Sequence, residues 1–292
     1  MDPRIKRIEW RAGRTPVIGL LAAALVIGCA PTINLLNPDS PRFSGEYAAP
    51  IADAVARPSL RIVTFNIKLA RRIDRAIEVL RGDSLRDADI IALEEMDETG
   101  VDRIARALRL NYVYYPGSIH PVDHKYFGPA ILSRWPIERS WKLLLPHEGR
   151  VRHQRRTATA AIVRVGAQRL RVYAVHLETP IRISDKARED QVRAVLSDAS
   201  AFPGPVVIAG DFNSYGVGPL LVRHGYRWLT ARVGPSISFF SWDHIFVRHL
   251  LPARPARAGV VRKVRGASDH HPVWAVALTD SADGLASVPA GR

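Results

Sequence analysis

Acids, amides and histidines stand at the ends of apolar stretches at five places in this 292-residue sequence. Asn66 closes "VTFN", Glu94 and Glu95 close "IIALEE", and His176 closes "VYAVH". Asp211 and Asn213 close "VVIAGDFN", while Asp269, His270 and His271 precede "PVWAVAL". One carboxylate after a strand is ordinarily a turn former or helix cap. Five such positions together suggest a shared cleft. Oxygen donors without thiolates favour a hard cation, Mg²⁺, Mn²⁺ or Ca²⁺, over zinc. Histidines among them could protonate a leaving oxygen or stabilise a charged phosphorane. Such a set suits hydrolysis of a phosphoester. The sequence has no phosphate-binding glycine loop and no Gly-x-Ser-x-Gly elbow, so water is the simplest nucleophile.

The elements that must carry these residues can be read from hydrophobic patterning. "LRIVTFNI" and "ADIIALEEM" are rich in β-branched and apolar residues and predict strands. Between them, "RRIDRAIEVLRG" spaces Ile73, Ile77 and Leu80 along one helical face, and "TGVDRIARALRL" repeats that pattern after the second strand. "YVYYPG", "PAILSRW", "TATAAIVRV", "RLRVYAVHL", "PVVIAGDF", "DHIFVR" and "HPVWAVAL" read as further strands, with a helix from about Ser184 to Ala199. Several strands are apolar on consecutive residues, so both faces must be covered. The short "GAQ" connection predicts an antiparallel hairpin. The expected architecture is an α/β (α+β) fold: two packed, mostly antiparallel sheets flanked by helices in a four-layer α/β/β/α sandwich. Trp135, Trp141, Trp228 and Trp274 read as core, and His244 should point away from its neighbour Asp243.

"TFNI", "ADIIALEE", "GPAILSRWPI", "VHLE", "GDFNS", "WDHIFV" and "SDHHPV" occur in an order and spacing that resembles the endonuclease/exonuclease/phosphatase superfamily of metal-dependent phosphoesterases. Its members include pancreatic-type deoxyribonuclease, abasic-site endonucleases, neutral sphingomyelinases and inositol-phosphate phosphatases. The resemblance implies Glu95 as principal metal ligand, with Asn66 and Asp269 on the metal side, for Mg²⁺ or Mn²⁺. It implies Asp211 and Asn213 as holders of the attacking water and His176 as a phosphate contact. His270 would stabilise the transition state or act as the acid, oriented by Asp243; His271 falls at the variable position of Ser-Asp-His-x-Pro. Arg155 and Arg156 are further expected phosphate contacts. Two departures stand out. Glu94 replaces a usual glutamine, which would bring an extra negative charge beside the metal, and Pro129 replaces a usual asparagine.

The formal charge is +14 and 47% of residues are hydrophobic. An electropositive surface of this kind attracts polyanions or anionic lipid. The N-terminus has basic residues followed by "VIGLLAAALVIGCA" and Pro31, a signal-peptide layout whose apolar run is shorter than the roughly 20 residues that span a bilayer. "VIGC" is similar to the lipobox of bacterial lipoproteins and ends at Cys29, the sequence's one cysteine. The expected organisation is a signal peptide over 1–29, a tether over 30–58, a catalytic domain over 59–280 and a disordered tail over 281–292. An exported monomer tethered through a lipid on Cys29, at the periplasmic face, is the leading expectation, with an uncleaved inner-membrane anchor as the alternative. A nuclease-like phosphodiesterase is the leading activity. Hydrolysis of a phospholipid or sphingomyelin-type head group, or of a phosphomonoester, is the second reading; a non-catalytic binding lipoprotein is the third.

Overall fold

The computed structural model describes residues 32–50 and 58–279. The signal-peptide and tail expectations, and Cys29 with them, lie outside the described residues. Two sheets form the body. The ten-stranded sheet runs, in order, Ile33–Asn34, Ser118–Ile119, Tyr126–Ser133, Ile90–Met96, Ser59–Asn66, Val273–Leu278 and Leu251–Pro252, with three short strands paired beside this path. The six-stranded sheet runs Arg227–Trp228, Asp243–Arg248, Val206–Asp211, Gln168–His176, Arg155–Val165 and Ile137–Glu148. Two pairings are parallel, Ser59–Asn66 with Ile90–Met96 and Gln168–His176 with Val206–Asp211. The predicted "GAQ" hairpin is antiparallel as expected.

Strand alternation explains the layering. Ile62, Ile90, Ala92 and Ile131 from one sheet meet Val172, Ala174, Val207, Ala209 and Ile245 from the other in a buried layer between them. The opposite face of the first sheet packs on helices Ile73–Leu80 and Glu98–Leu108. That of the second packs on Asp185–Ser200 and Gly218–Arg223. Asp97 and Ser184 cap their helices by accepting from the backbone N–H of Gly100 and Ala187. The four-layer α/β/β/α sandwich is therefore observed. Among the described residues, no helix is long and apolar enough to cross a membrane.

The segment read as a tether is part of the fold over its described portion, residues 32–50. Ile33–Asn34 pairs with Ser118–Ile119, and Phe43–Gly45 pairs with Asn111–Tyr114. Lys142 Nζ donates to Leu35 O at 2.7 Å and to Ser40 O at 2.9 Å, tying the intervening loop to the second sheet. These strands are two or three residues long, too short to show periodicity in the sequence.

Candidate active site

Period-2 alternation aims the chemistry as well as the core. Ile62, Thr64 and Asn66 share one face, as do Ile90, Ala92 and Glu94, and across the layer Val172, Ala174 and His176. Val207, Ala209 and Asp211 match Ile245 and Asp243 in the antiparallel register, with Asp211 opposite Asp243. The apolar layer between the sheets thus ends in a buried polar one, formed by Asn66, Glu94, His176, Asp211 and Asp243. Gly210 is required for this approach: a Cβ there would lie 1.9 Å from Val175 O, at φ 151°. Its absence lets the strand carrying Asp211 press against the one carrying His176.

Asp211 is the hub. Its Oδ2 accepts from Asn66 Nδ2 at 3.0 Å. It also stands 3.7 Å from His176 Nε2 and 3.7 Å from His270 Nε2. Those two separations are too long for hydrogen bonds, so neither Nε2 is committed to the carboxylate. Oδ1 of Asp211 accepts the backbone N–H of Asn213, whose Nδ2 is fixed on Leu177 O at 3.0 Å. His270 Nδ1 donates to Asp243 Oδ2 at 2.9 Å, leaving Nε2 toward Asp211. Arg156 donates to His176 Nδ1 at 3.2 Å, so a neutral His176 carries its proton on Nε2 and presents it to the same place.

Charge follows from burial and from these pairs. Burial raises the Asp211 carboxyl, and the neighbouring Asp243 carboxylate raises it further. Burial alone would lower His270, yet the carboxylates of Asp243 and Asp211 outweigh it and raise the imidazole to about 10. His176 is held well below the usual histidine range by burial, then by Arg156. The site therefore pairs a cationic His270 with a neutral His176 across one carboxylate.

Glu95 leaves the buried row through a bulge. Leu93 pairs with Ala130 and Met96 with Gly128, so Glu94 and Glu95 together oppose Pro129 alone, and Glu95 takes φ 58°. A bulge is where a strand accommodates proline, so Pro129 costs little there. Glu95 Oε1 accepts from Asn66 Nδ2 at 3.3 Å and Oε2 from the Leu69 N–H at 3.1 Å. Glu94 corrects an expectation. It is fully buried in the inter-sheet layer, and Thr64 Oγ1 lies 3.2 Å from each of its carboxyl oxygens. Burial first, then Asp243 and Asp211, push its pKa well above the ordinary carboxyl value. It is a neutral acid facing the core, the isostere of the glutamine it replaces, and adds no charge beside a metal.

The cleft above this floor has a volume of about 280 Å³, and Glu95, Asp269 and His270 share it with Lys68, Arg152, Arg156 and Arg182. A carboxylate, an amide and a second carboxylate suit a hard divalent ion. Asp211, Asp243 and His270 lie close enough to act as ligands themselves. The short His270–Asp243 bond, however, already commits the facing atoms of those two residues to each other. Asp269 is half-exposed and ion-paired to Lys68 Nζ at 2.8 Å.

Arg155 and Arg156 part company. Arg156 is buried, bonded to His176 and, at 3.0 Å, to Glu178 Oε1. Arg155 instead donates Nε to Leu145 O at 2.6 Å and does not line the cleft, so it is withdrawn as a phosphate contact. Lys68, Arg152, Arg182 and the buried Glu178 were not singled out in the sequence. Arg152 and Arg182 come from turns and Lys68 from the three-residue 3₁₀ helix Lys68–Ala70, where no periodicity marks them. His271 turns to Ser236 O at 3.0 Å, away from Asp211, and His244 packs between Trp228 and Phe212 on the far face of its strand.

The endonuclease/exonuclease/phosphatase family model matches residues 63–270. No curated protein matches the chain. Solved structures do. An endonuclease/exonuclease/phosphatase from Beutenbergia cavernae DSM 12333 is 19% identical, with TM-score 0.60 over 76% of this chain and 72% of its own. D. rerio TDP2 complexed with a single-strand DNA product is 20% identical, with TM-score 0.62 over 76% of this chain and 100% of its own. Sphingomyelinase C from Streptomyces griseocarneus is 19% identical, with TM-score 0.59 over 77% and 100%. At these identities the likeness is one of fold.

Proposed function

The chain belongs to the endonuclease/exonuclease/phosphatase family of metal-dependent phosphoesterases, and from that premise we propose that its cleft hydrolyses a phosphodiester by direct attack of water. One observation carries the reading: His176 Nε2 and His270 Nε2 converge on the same Asp211 oxygen at 3.7 Å. Two N–H donors and one acceptor thereby face one another unbonded, free to turn to a phosphoryl group and a water.

In this reading Asp211 takes the proton of a water that Asn213 helps to align, its amide being fixed by Leu177 O. The cationic His270, oriented by Asp243, lies where charge builds on the phosphoryl oxygens and gives its proton to the leaving oxygen. Neutral His176, backed by Arg156, donates a hydrogen bond to a phosphoryl oxygen. Mg²⁺ or Mn²⁺, held by Glu95 with Asn66 and Asp269, would supply Lewis-acid neutralisation of the phosphate charge. Glu95, Asp269 and His270 line the cleft, and Asn66, His176, Asp211, Asn213 and Asp243 are buried beside them, a convergence that supports a catalytic reading over a non-catalytic binding protein.

For the substrate, the +14 charge and three cleft arginines support a nucleic acid. A second reading, a phospholipid head group, has its own support. The Thr32 N–H donates to Arg152 O at 2.8 Å, which holds the start of the described chain at the cleft rim, three residues after Cys29 in sequence. The test is hydrolysis of bis-p-nitrophenyl phosphate with and without Mg²⁺, beside single- and double-stranded DNA, RNA, sphingomyelin and inositol phosphates. Activity should require the divalent ion and disappear in Asp211→Ala and His270→Ala; activity persisting in both variants sinks the assignment.

A further inference from the structure

Ten large apolar side chains among the described residues are exposed, and five of them gather at the mouth of the cleft. Val122 follows the lining residue Pro121, Val151 precedes Arg152, and Ile181 precedes Arg182. Ile181 is 87% exposed. Phe239, 91% exposed, and Phe240 tip the loop whose Ile237 bridges to His270. Phe240 stacks on Trp242 with ring centroids 4.7 Å apart. These residues come from four separate loops with no shared core to bury them. Basic side chains alternate with them in sequence: exposed Arg150 and half-exposed Arg152 flank Val151, and half-exposed Arg182 follows Ile181. Exposed Arg262 is bonded to Pro235 O beneath the phenylalanine loop. Apolar tips rimmed by cations match a bilayer surface carrying anionic head groups.

The path of the chain says which way this rim faces. The leader's apolar run ends at Ala30, and Thr32 is already hydrogen-bonded to Arg152 on the rim. Cys29 precedes Thr32 by three residues, about 10 Å of fully extended chain. Whether the leader is lipidated at Cys29 or kept as an anchor, that reach is too short to hold the rim far from the membrane. We infer that the cleft mouth of this protein is a membrane-docking face, seated on an anionic bilayer through Val151, Ile181, Phe239 and Phe240 with its arginines at the head groups. Its cleft then opens toward the lipid surface. The inference rests on the phosphoesterase reading only for what enters the cleft, which becomes a phosphodiester carried in the membrane.

The full chain is reconstituted into phosphatidylethanolamine–phosphatidylglycerol vesicles containing a phospholipid with a photoreactive acyl chain, and cross-linked peptides are mapped by mass spectrometry. Cross-links are expected in residues 148–155, 178–185 and 236–242. In Phe239→Ser/Ile181→Ser they should fall about tenfold at the two altered loops. The same variant should hydrolyse soluble bis-p-nitrophenyl phosphate at an unchanged rate. That soluble assay separates the two ideas, since its failure in the unaltered protein indicts the catalytic reading and leaves the docking readout intact. Cross-links confined to residues 1–31 overturn the docking face. So does a rim whose Phe239→Ser change abolishes binding of a single-stranded oligonucleotide and leaves lipid cross-links untouched, which assigns the rim to nucleic acid.

Discussion

Asp243 works on His270 and has no direct line to the cleft, being buried behind the imidazole it accepts from. Its charge is what keeps His270 cationic. A histidine raised from 6.5 to about 10 stays protonated throughout the neutral range and loses its proton only as pH rises through the raised value. Asp243→Asn retains the shape but removes that charge. The rate on a soluble diester at pH 8 should drop about 10²-fold, and the alkaline limb of its pH profile should move to lower pH. An unshifted limb would falsify the pairing. Next along the strand, His244 tests the opposite sign. Trp228 Nε1 donates to its Nδ1 and its Nε2 faces Ser214 O, so the ring is locked neutral, with burial holding its pKa at about 4 against the opposing pull of Asp243. Its contribution to stability is complete above the unfolded value of 6.5 and is lost as pH falls toward 4, about 2 kcal/mol of it by pH 5. Urea midpoints measured at pH 7 and pH 5 should therefore differ less in His244→Gln than in the unaltered protein.

At the scale of the strand, the bulge at Glu94 and Glu95 separates two adjacent acids into one core residue and one cleft residue. The buried member should behave as glutamine does. Because its folded pKa is raised, Glu94 stabilises the fold fully below about pH 4.5 and loses that contribution as pH climbs toward the raised value. Glu94→Gln should hold its activity within about twofold and be the more stable protein at pH 8, the advantage shrinking as pH falls to 4.5. Loss of activity would return a catalytic charge to this position. Much of this layer was legible in advance: consecutive apolar residues in "ADIIALEE" and "VVIAGDFN" announce strands covered on both faces, with polar residues where the apolar runs stop. The bulge was not, since a positive φ at Glu95 is set by the partner strand and leaves no mark in the local sequence. The edge strand Ile137–Glu148 was missed for a related reason. Its exposed positions carry Glu138 and Arg139, its buried Lys142 interrupts the apolar run, and one neighbouring strand is all it needs to pair.

Across the whole molecule, the largest misreading concerns how the domain begins. Prolines and polar residues in "PTINLLNPDSPRFSGEY" suggest free chain, yet the structure stitches this stretch over both sheets through contacts more than a hundred residues distant. Buried Lys142 is the clasp, its ammonium shared between Leu35 O and Ser40 O while its own backbone N–H reaches Pro38 O at 3.3 Å. Removing the ammonium leaves two carbonyls without their charged donor, a loss of about 1–3 kcal/mol. Lys142→Met, close in length and apolar, isolates that loss from packing. The variant should unfold at lower urea and be cut by protease within residues 32–50 while the rest of the domain resists, and its turnover of a soluble diester should stay unchanged. If the clasp also sets the angle at which the leader meets the rim, the same variant should lose hydrolysis of vesicle-borne substrate out of proportion to its soluble activity. Equal protease resistance in the two proteins would show that the N-terminal strands hold themselves in place and that Lys142 is dispensable to the attachment.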